Sequence, residues 1–351
     1  MRPLQLLLTI LTGLIVNALL TPLIISLAHR NRWYDEKNHR KIHTDDTPRI
    51  GGVGIFVGVL AATVVTILMG AAETGAFAAM PGTPLSVGEL VLYFLPALGG
   101  MVIIHALGLV DDFRNLRAVL KLVIQIAAAT VVTLGPFRIE QLTIPFIWYN
   151  IELGAFSIPV TIVWIVAISN ALNFIDGVDG LAGGTAAIAT LFFAAIALLT
   201  GQGLIALLAM GLFGSIFGFL IYNAPPARIF MGDSGSYVLG FALAIFPLML
   251  ADGSGVSLDL IPAVTILGVP IVDMTTSVFR RLRRGKHPFS ADREHLHHKL
   301  MDLGFGTWRI LAVAYGASVL LGLVAVSWYL LPVNVDMIVT LAAWTIVIVL
   351  M

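Results

Sequence analysis

The sequence predicts an all-α polytopic membrane protein of about eleven transmembrane helices. Three observations carry this. Of 351 residues, 58% are hydrophobic and only 11% are charged, whereas soluble proteins carry about 25% charged residues. Many apolar runs reach the ~20 residues needed to cross a hydrocarbon core. Of the 20 lysines and arginines, 18 fall in alternate loops between those runs or at their flanks. Cysteine is absent, which excludes disulfides and thiolate metal sites. No polar linker divides the chain, so a single domain is expected over residues 1–351.

The spans are expected near 4–28, 50–72, 89–110, 118–135, 157–174, 181–200, 203–222, 235–251, 259–282, 309–331 and 333–351. The first run is too long for a signal-peptide core and lacks a cleavage pattern, so it reads as a span. Numbered from the first, the odd loops lie near 29–49, 111–117, 175–180, 223–234 and 283–308. They and their flanks hold every basic residue except Arg2 and Arg138. The positive-inside rule then puts these loops in the cytoplasm and the N-terminus outside. The even loops are short and nearly uncharged, apart from 137–159. There, Pro, Gly and Asn turn signals flank the β-prone Ile144, Phe146, Ile147, Trp148 and Tyr149, predicting a short outer hairpin. The last run stops at Met351 without a polar tail, which reads as a truncated cytoplasmic tail. No internal repeat is evident, which counts against repeat-built transporter folds.

The polar residues that interrupt this apolar chain sit at the predicted inner boundary. Polar groups beside spans usually face a partner, a cavity or a ligand. Asn170, Asn173 and Asp176 recur every three residues and share one broad helical face, and Gly177, Asp179 and Gly180 follow. Asp111 and Asp112 close the third span. Adjacent carboxylates repel and hold charge best near a cation, a metal or water; the plainer reading is a solvated loop cap. Lys121 is either a phosphate contact or a snorkelling lysine. Asn223 to Ser236 ends in Gly232-Asp233-Ser234-Gly235-Ser236 at the start of a span. Backbone N–H groups at a helix N-terminus offer an anion site, and Asp233 reads either as a metal ligand or as a plain N-cap. Mg²⁺ typically takes one or two carboxylates and completes its shell with phosphate oxygens and water. Arg49, in Thr47-Pro48-Arg49-Ile50-Gly51-Gly52, adds a cation on the same side. His295, His297 and His298 follow the run Arg280 to Lys286. That run alone reads as topology signal or headgroup binding, and no carboxylate pattern completes a zinc site with the histidines. Carboxylates, cations, glycine turns and an aromatic on one face suit phosphoryl transfer, where catalysis is mostly positioning and charge neutralisation. A cation-coupled transporter is the alternative from another class, but it should place its carboxylates near the midplane. Of the membrane carboxylates only Asp273 lies well inside a predicted span.

In this order, Asp111-Asp112, Asn170 to Leu181, Phe230 to Ser236 and His295 to His298 resemble the polyprenyl-phosphate N-acetylhexosamine-1-phosphate transferases, the MraY-like superfamily. The peptidoglycan branch usually shows Thr-Pro-Thr-Met-Gly-Gly and three consecutive histidines. Here the residues are Thr-Pro-Arg-Ile-Gly-Gly and His-Leu-His-His, which is similar to the WecA/TagO branch. The resemblance implies that a polyprenyl phosphate (undecaprenyl or decaprenyl) attacks the β-phosphorus of UDP-GlcNAc, releasing UMP. It implies Mg²⁺, with Mn²⁺ as an alternative, bound by Asp233 and Asn173. It implies Lys121 at the diphosphate, Asp176 and Asp179 at the nucleotide, and Phe230 on uracil with Asn223 nearby; Asn170 and Arg49, from the residue pattern alone, are further substrate-binding candidates. His295, His297 and His298, with the loop arginines Arg280, Arg281, Arg283 and Arg284, would recognise the sugar and phosphates. Asp111 would deprotonate the acceptor, or, with Asp112, place a cation or orient the attacking oxygen. The expected setting is the inner cell membrane with the site facing the cytoplasm, among membrane lipids, without nucleic acid, and with a homodimer as one assembly. A MurNAc-pentapeptide or other UDP-hexosamine donor is the alternative.

Overall fold

The computed structural model describes residues 3–34, 47–72, 86–144, 149–254, 260–285 and 296–350. In chain order the helices are α1 (Pro3–Asn31), α2 (Gly52–Ala72), α3 (Val87–Arg114), α4 (Ala118–Thr133), α5 (Ser157–Ile175), α6 (Leu181–Leu199) and α7 (Gly203–Asn223). They continue with α8 (Gly232–Ser254), α9 (Leu260–Ile266), α10 (Gly268–Arg283), α11 (Leu296–Asp302), α12 (Thr307–Ser327) and α13 (Val333–Leu350). Between α4 and α5, β1 (Gln141–Ile144) pairs antiparallel with β2 (Tyr149–Glu152), Gln141 opposite Glu152. A hairpin is expected in 137–159; of the β-prone residues that predict it, Ile144 and Tyr149 lie on the strands, and Phe146, Ile147 and Trp148 lie outside the described residues.

Among the described residues, nine helices are long and apolar enough to cross a membrane. Two of the expected spans take another form. α4 has 16 residues, a length of about 24 Å against the ~30 Å of a hydrocarbon core. The expected span over 259–282 is not one straight helix: α9 and α10 meet at a bend of 80° around Leu267. Pro262, Gly268 and Pro270 crowd the break, and proline removes helical hydrogen bonds. Beyond it α10 carries Asp273, Thr275, Thr276, Ser277, Arg280, Arg281 and Arg283, too polar a surface to meet lipid all round.

The bundle is built around α8, whose apolar stretch is 94% buried. It packs on α3, α5, α2 and α6, as a helix apolar on every side must. Small residues let the backbones close up. A Cβ on Gly240 would lie 2.6 Å from Ser169 Cα on α5, and one on Gly100 would lie 2.6 Å from the Phe241 ring. On the flank, α1 and α7 meet at Gly214, where a Cβ would sit 2.1 Å from the Ile10 carbonyl oxygen. Asn17, fully buried there, donates to the Ser215 carbonyl at 2.7 Å. This packing brings the N-terminal ends of α2, α4 and α8 and the C-terminal ends of α3 and α5 to one end of the bundle.

Candidate active site

The site is assembled from the approach to α2 upward. Residues 48–52 run beside 230–231 in a short backbone ladder: Phe230 N–H donates to Pro48 O (2.8 Å), Gly51 N–H to Phe230 O (3.0 Å) and Gly52 N–H to Met231 O (2.9 Å). A Cβ on Gly52 would lie 2.2 Å from Gly235 N, so only glycine lets α2 start this close to α8. Gly232 turns with φ +71°, and a Cβ there would meet the Asp112 carboxylate at 2.6 Å. The ladder sets Arg49 against the first turn of α8.

Asp112 and Asp111 serve different helices. Asp112 accepts the N–H groups of Asp233 (2.7 Å) and Ser234 (3.1 Å), capping α8, with Arg49 Nε 3.5 Å away. This corrects the expectation of an open anion site at that helix start: two of its N–H groups already end on a carboxylate. Donors and the positive end of the helix dipole draw in the nearest anion, and here the chain supplies one. It also means that Asp233 is not the cap; it sits inside the first turn with its carboxylate turned to side chains. Asp111 Oδ1 accepts the Leu116 N–H at 2.6 Å, and Oδ2 accepts from Lys121.

Asp233 is where the network converges. Its Oδ1 accepts from Arg49 Nη2 (2.9 Å) and Asn173 Nδ2 (3.1 Å), and its Oδ2 from Lys121 Nζ (3.2 Å). Asn173 also donates to Ser236 Oγ at 2.9 Å. Arg49, Asp111, Asp112, Lys121, Asn173 and Asp233, scattered over 185 positions of sequence, thus form one connected cluster.

The other expected site residues surround this cluster. Asn170 lies one helical turn before Asn173 on α5, exchanges hydrogen bonds with Gln125 (2.8 and 3.3 Å) and donates to Val166 O. Asp176 follows the last residue of α5. It is half-buried, and burial, then the Asp233 charge, push its carboxyl up to about 7 against the opposing pull of Arg49. Asp179 Oδ2 accepts the Ala227 N–H (2.9 Å). Asn223 uses both ends of its amide within the chain, accepting from Gly180 N (3.0 Å) and donating to Ile229 O (2.8 Å). Tyr315 donates to Gly180 O at 2.7 Å. Asp179 and Asn223 therefore tie the turn after Asp176 to the loop that carries Phe230, whose own backbone belongs to the ladder. His295 lies outside the described residues. His297 and His298 fall on α11, and their side chains lie outside them too.

Gln125, His105 and Tyr315 take part without being singled out from sequence, and Arg281 figures there only as one member of a basic run. Gln125 is 3% exposed and holds Asn170. His105 stacks on Phe56 at 4.1 Å and sets Nδ1 3.3 Å from the Ser234 carbonyl, bracing α8 from below. Arg281, 4% exposed, lies over the Phe174 ring at 5.4 Å beside Asn173. The first two carry a readable signal, a polar residue inside an apolar helix. Arg281 is hidden in a run of like charges.

The donor set suits a hard divalent cation. Four carboxylates (Asp111, Asp112, Asp176 and Asp233) and the Asn173 amide gather around two cations, Arg49 and Lys121. Carboxylates outnumber cations there, so a divalent ion would supply the missing positive charge, and oxygen donors are what Mg²⁺ takes. Among the described residues no three acidic, histidine or cysteine side chains are spaced to hold an ion unaided. An ion here would have its shell completed by phosphate oxygens or water.

The chain belongs to the glycosyl transferase family 4. That family model matches residues 94–251, a stretch containing Asp111, Asp112, Lys121, Asn170, Asn173, Asp176, Asp179, Asn223, Phe230 and Asp233 but not Arg49, Arg281, His297, His298 or Tyr315. The chain is 34% identical over 315 residues to a probable undecaprenyl-phosphate N-acetylglucosaminyl 1-phosphate transferase of Bacillus subtilis strain 168, covering 90% of this chain and 82% of the relative. It is 31% identical over 326 residues to the decaprenyl-phosphate N-acetylglucosaminephosphotransferase of Mycobacterium tuberculosis H37Rv, covering 87% and 78%. It is 30% identical over 341 residues to a phospho-N-acetylmuramoyl-pentapeptide-transferase of Halalkalibacterium halodurans, covering 92% and 96%.

Proposed function

We propose that the chain transfers GlcNAc-1-phosphate from UDP-GlcNAc to a membrane polyprenyl phosphate, giving polyprenyl-diphospho-GlcNAc and UMP. The observation that carries this reading is the convergence of Arg49, Lys121 and Asn173 on Asp233 at one end of an apolar bundle. Phosphoryl transfer asks for that combination: fixed cations for the phosphates, an oxygen-rich position for a metal, and little covalent chemistry. The membrane setting suits an acceptor whose tail stays in lipid while its phosphate lies at the surface. The sorting of arginines supports a cytoplasmic position for this end.

Held by Asp233 and Asn173, Mg²⁺ (or Mn²⁺) would neutralise charge on the diphosphate. The chain's own groups do the rest. Lys121 and Arg49 exchange carboxylate contacts for phosphate oxygens as the substrates arrive. Asp112 holds the first turn of α8 so that Asp233 stays aligned. A phosphate monoester has its second pKa near ~6, so the acceptor is already mostly dianionic at neutral pH. Asp111 therefore holds Lys121 in place rather than acting as an indispensable base. Asp179, Asn223 and Tyr315 shape the loop that would meet the nucleotide.

The test is UMP release by the purified protein with undecaprenyl phosphate and UDP-GlcNAc, with Mg²⁺ or with EDTA. Release that needs both lipid and Mg²⁺ is expected. Release only from UDP-MurNAc-pentapeptide would move the chain to that donor, and none from any UDP-sugar would end the transferase reading.

A further inference from the structure

A charged surface outside the candidate site lies at the joined ends of α1 and α3. Arg30, Arg32, Arg114 and Arg117 are all exposed there, and among the described residues none of the four pairs with a carboxylate. Between them Trp33 and Phe113 meet edge to face, centroids 5.2 Å apart and planes at 75°. Both rings stay open to the surroundings, 36% and 48% exposed. Both helices close through a left-handed residue that is not glycine, Arg32 at φ 57° and Asn115 at φ 45°. The first of these closures sends the Trp33 N–H back to the Ala28 carbonyl at 2.9 Å, which turns the chain after α1 back over its last turn.

A topology signal explains four arginines but neither the aromatic pair nor the two left-handed closures. Aromatic rings and arginines at one level are what a lipid headgroup region recognises. Two further facts narrow the partner. The surface continues into the reaction end: Asp111 is three residues before Arg114, and Arg117 begins the helix that carries Lys121, whose N–H donates to the Arg117 carbonyl at 3.1 Å. Beside these charged groups, one residue before Asp111 on α3 and two before Lys121 on α4, apolar side chains face outward, Val110 at 45% and Val119 at 73% exposure. A ligand that fits has a doubly charged phosphate at one end and a long hydrocarbon tail at the other.

We propose that this surface is the docking site at which the phosphate-headed acceptor lipid is captured from the bilayer before it reaches Lys121 and Asp233. The inference rests on the reaction proposed above for its choice of lipid. Capture uses the charge of the headgroup and is separate from the transfer step.

The test uses the full chain in nanodiscs of zwitterionic lipid, with undecaprenyl phosphate or phosphatidylglycerol titrated in. The variant Arg30→Gln/Arg32→Gln/Arg114→Gln/Arg117→Gln changes only exposed side chains, and thermal unfolding checks its fold. Binding of undecaprenyl phosphate is expected to weaken at least about tenfold, and the wild-type affinity to fall with salt. In turnover the KM for the acceptor rises by the same factor, while the KM for the nucleotide sugar stays within about twofold. Trp33→Ala/Phe113→Ala weakens acceptor binding without removing its salt dependence. Unchanged acceptor affinity in the folded quadruple variant overturns the proposal. So does phosphatidylglycerol competing as well as undecaprenyl phosphate, which would make the surface a general anionic-lipid contact. Binding is read without turnover, so a chain that captures the lipid but transfers nothing would contradict the reaction and leave the docking site standing.

Discussion

Replacing Asp112 separates a residue that touches substrate from one that acts through a helix. Asp112→Ala removes the acceptor for two N–H groups, at 2.7 and 3.1 Å, on residues only 7% and 0% exposed. Each orphaned buried donor costs about 1–3 kcal/mol, and a lost N-cap alone typically about 1 kcal/mol. These describe the same bonds, so the variant should lose about 2–4 kcal/mol of stability. Asp112→Asn keeps one acceptor oxygen and turns an NH₂ toward the other N–H, so it should lose about half as much. Arg49 retains Asp233 as a partner in both. Transfer should fall in the same order, because the first turn of α8 carries Asp233 and a displacement of ~1 Å costs on the order of a hundredfold in rate. Thermal unfolding in detergent and UMP release on the same preparations give both quantities. An Asp112→Ala protein that unfolds with the wild type yet transfers nothing would refute the reasoning, since Asp112 would then act on the substrate directly.

Gly52→Ala should cost about 1–3 kcal/mol, because its methyl would meet the Gly235 backbone. Gly316→Ala, on α12 with nothing within 4 Å, should be neutral or stabilising; a calorimetric comparison that ranks them the other way would contradict the close approach of α2 and α8. Arg49→Gln and Lys121→Gln each remove one cation from Asp233, so the Mg²⁺ concentration for half-maximal activity should fall even as the maximal rate drops; a metal titration in which it rises or stays put would show that these cations do not compete for Asp233. Burial and the Asp233 charge push the Asp176 carboxyl up to about 7 from an ordinary 3.8, so the folded chain holds the proton longer than the unfolded chain. Stability should therefore decline as pH climbs through that interval, and Asp176→Asn should flatten the decline; an identical pH–stability profile in the variant would exclude the effect.

The membrane fold was legible because apolar runs and the sorting of arginines are long-range signals that need no tertiary knowledge. The break at Leu267 was not, because the apolar first half of 259–282 masks a polar second half; Pro262, Gly268 and Pro270 were the available warning. Around the site, sequence marks which residues are costly to bury but not what each one meets. Asp111 and Asp112 are neighbours about 100° apart on a helix, so they must face different directions. Which one faces α4 and which faces α8 depends on how three helices pack. Asn170 and Asn173 share a helical face, yet one turn of depth sends the first to Gln125 and the second to Asp233. Asn223 reads as a ligand-binding amide until the turns at Gly180 and Ile229 are seen to use both of its ends.

The pairing of Asp111 with Lys121 lies wholly within the hairpin of α3 and α4, ten residues apart in sequence. During synthesis that hairpin can fold as it enters the bilayer, its carboxylate and its amine already neutralising one another. This lowers the penalty of carrying two charges into the boundary. Asp233 is made more than a hundred residues later, and α8 must then slot between helices already placed, where the Asp112 carboxylate waits for its first turn. The site is thus completed in order of translation: an early half that is electrically self-sufficient, and a late helix whose arrival brings the central carboxylate.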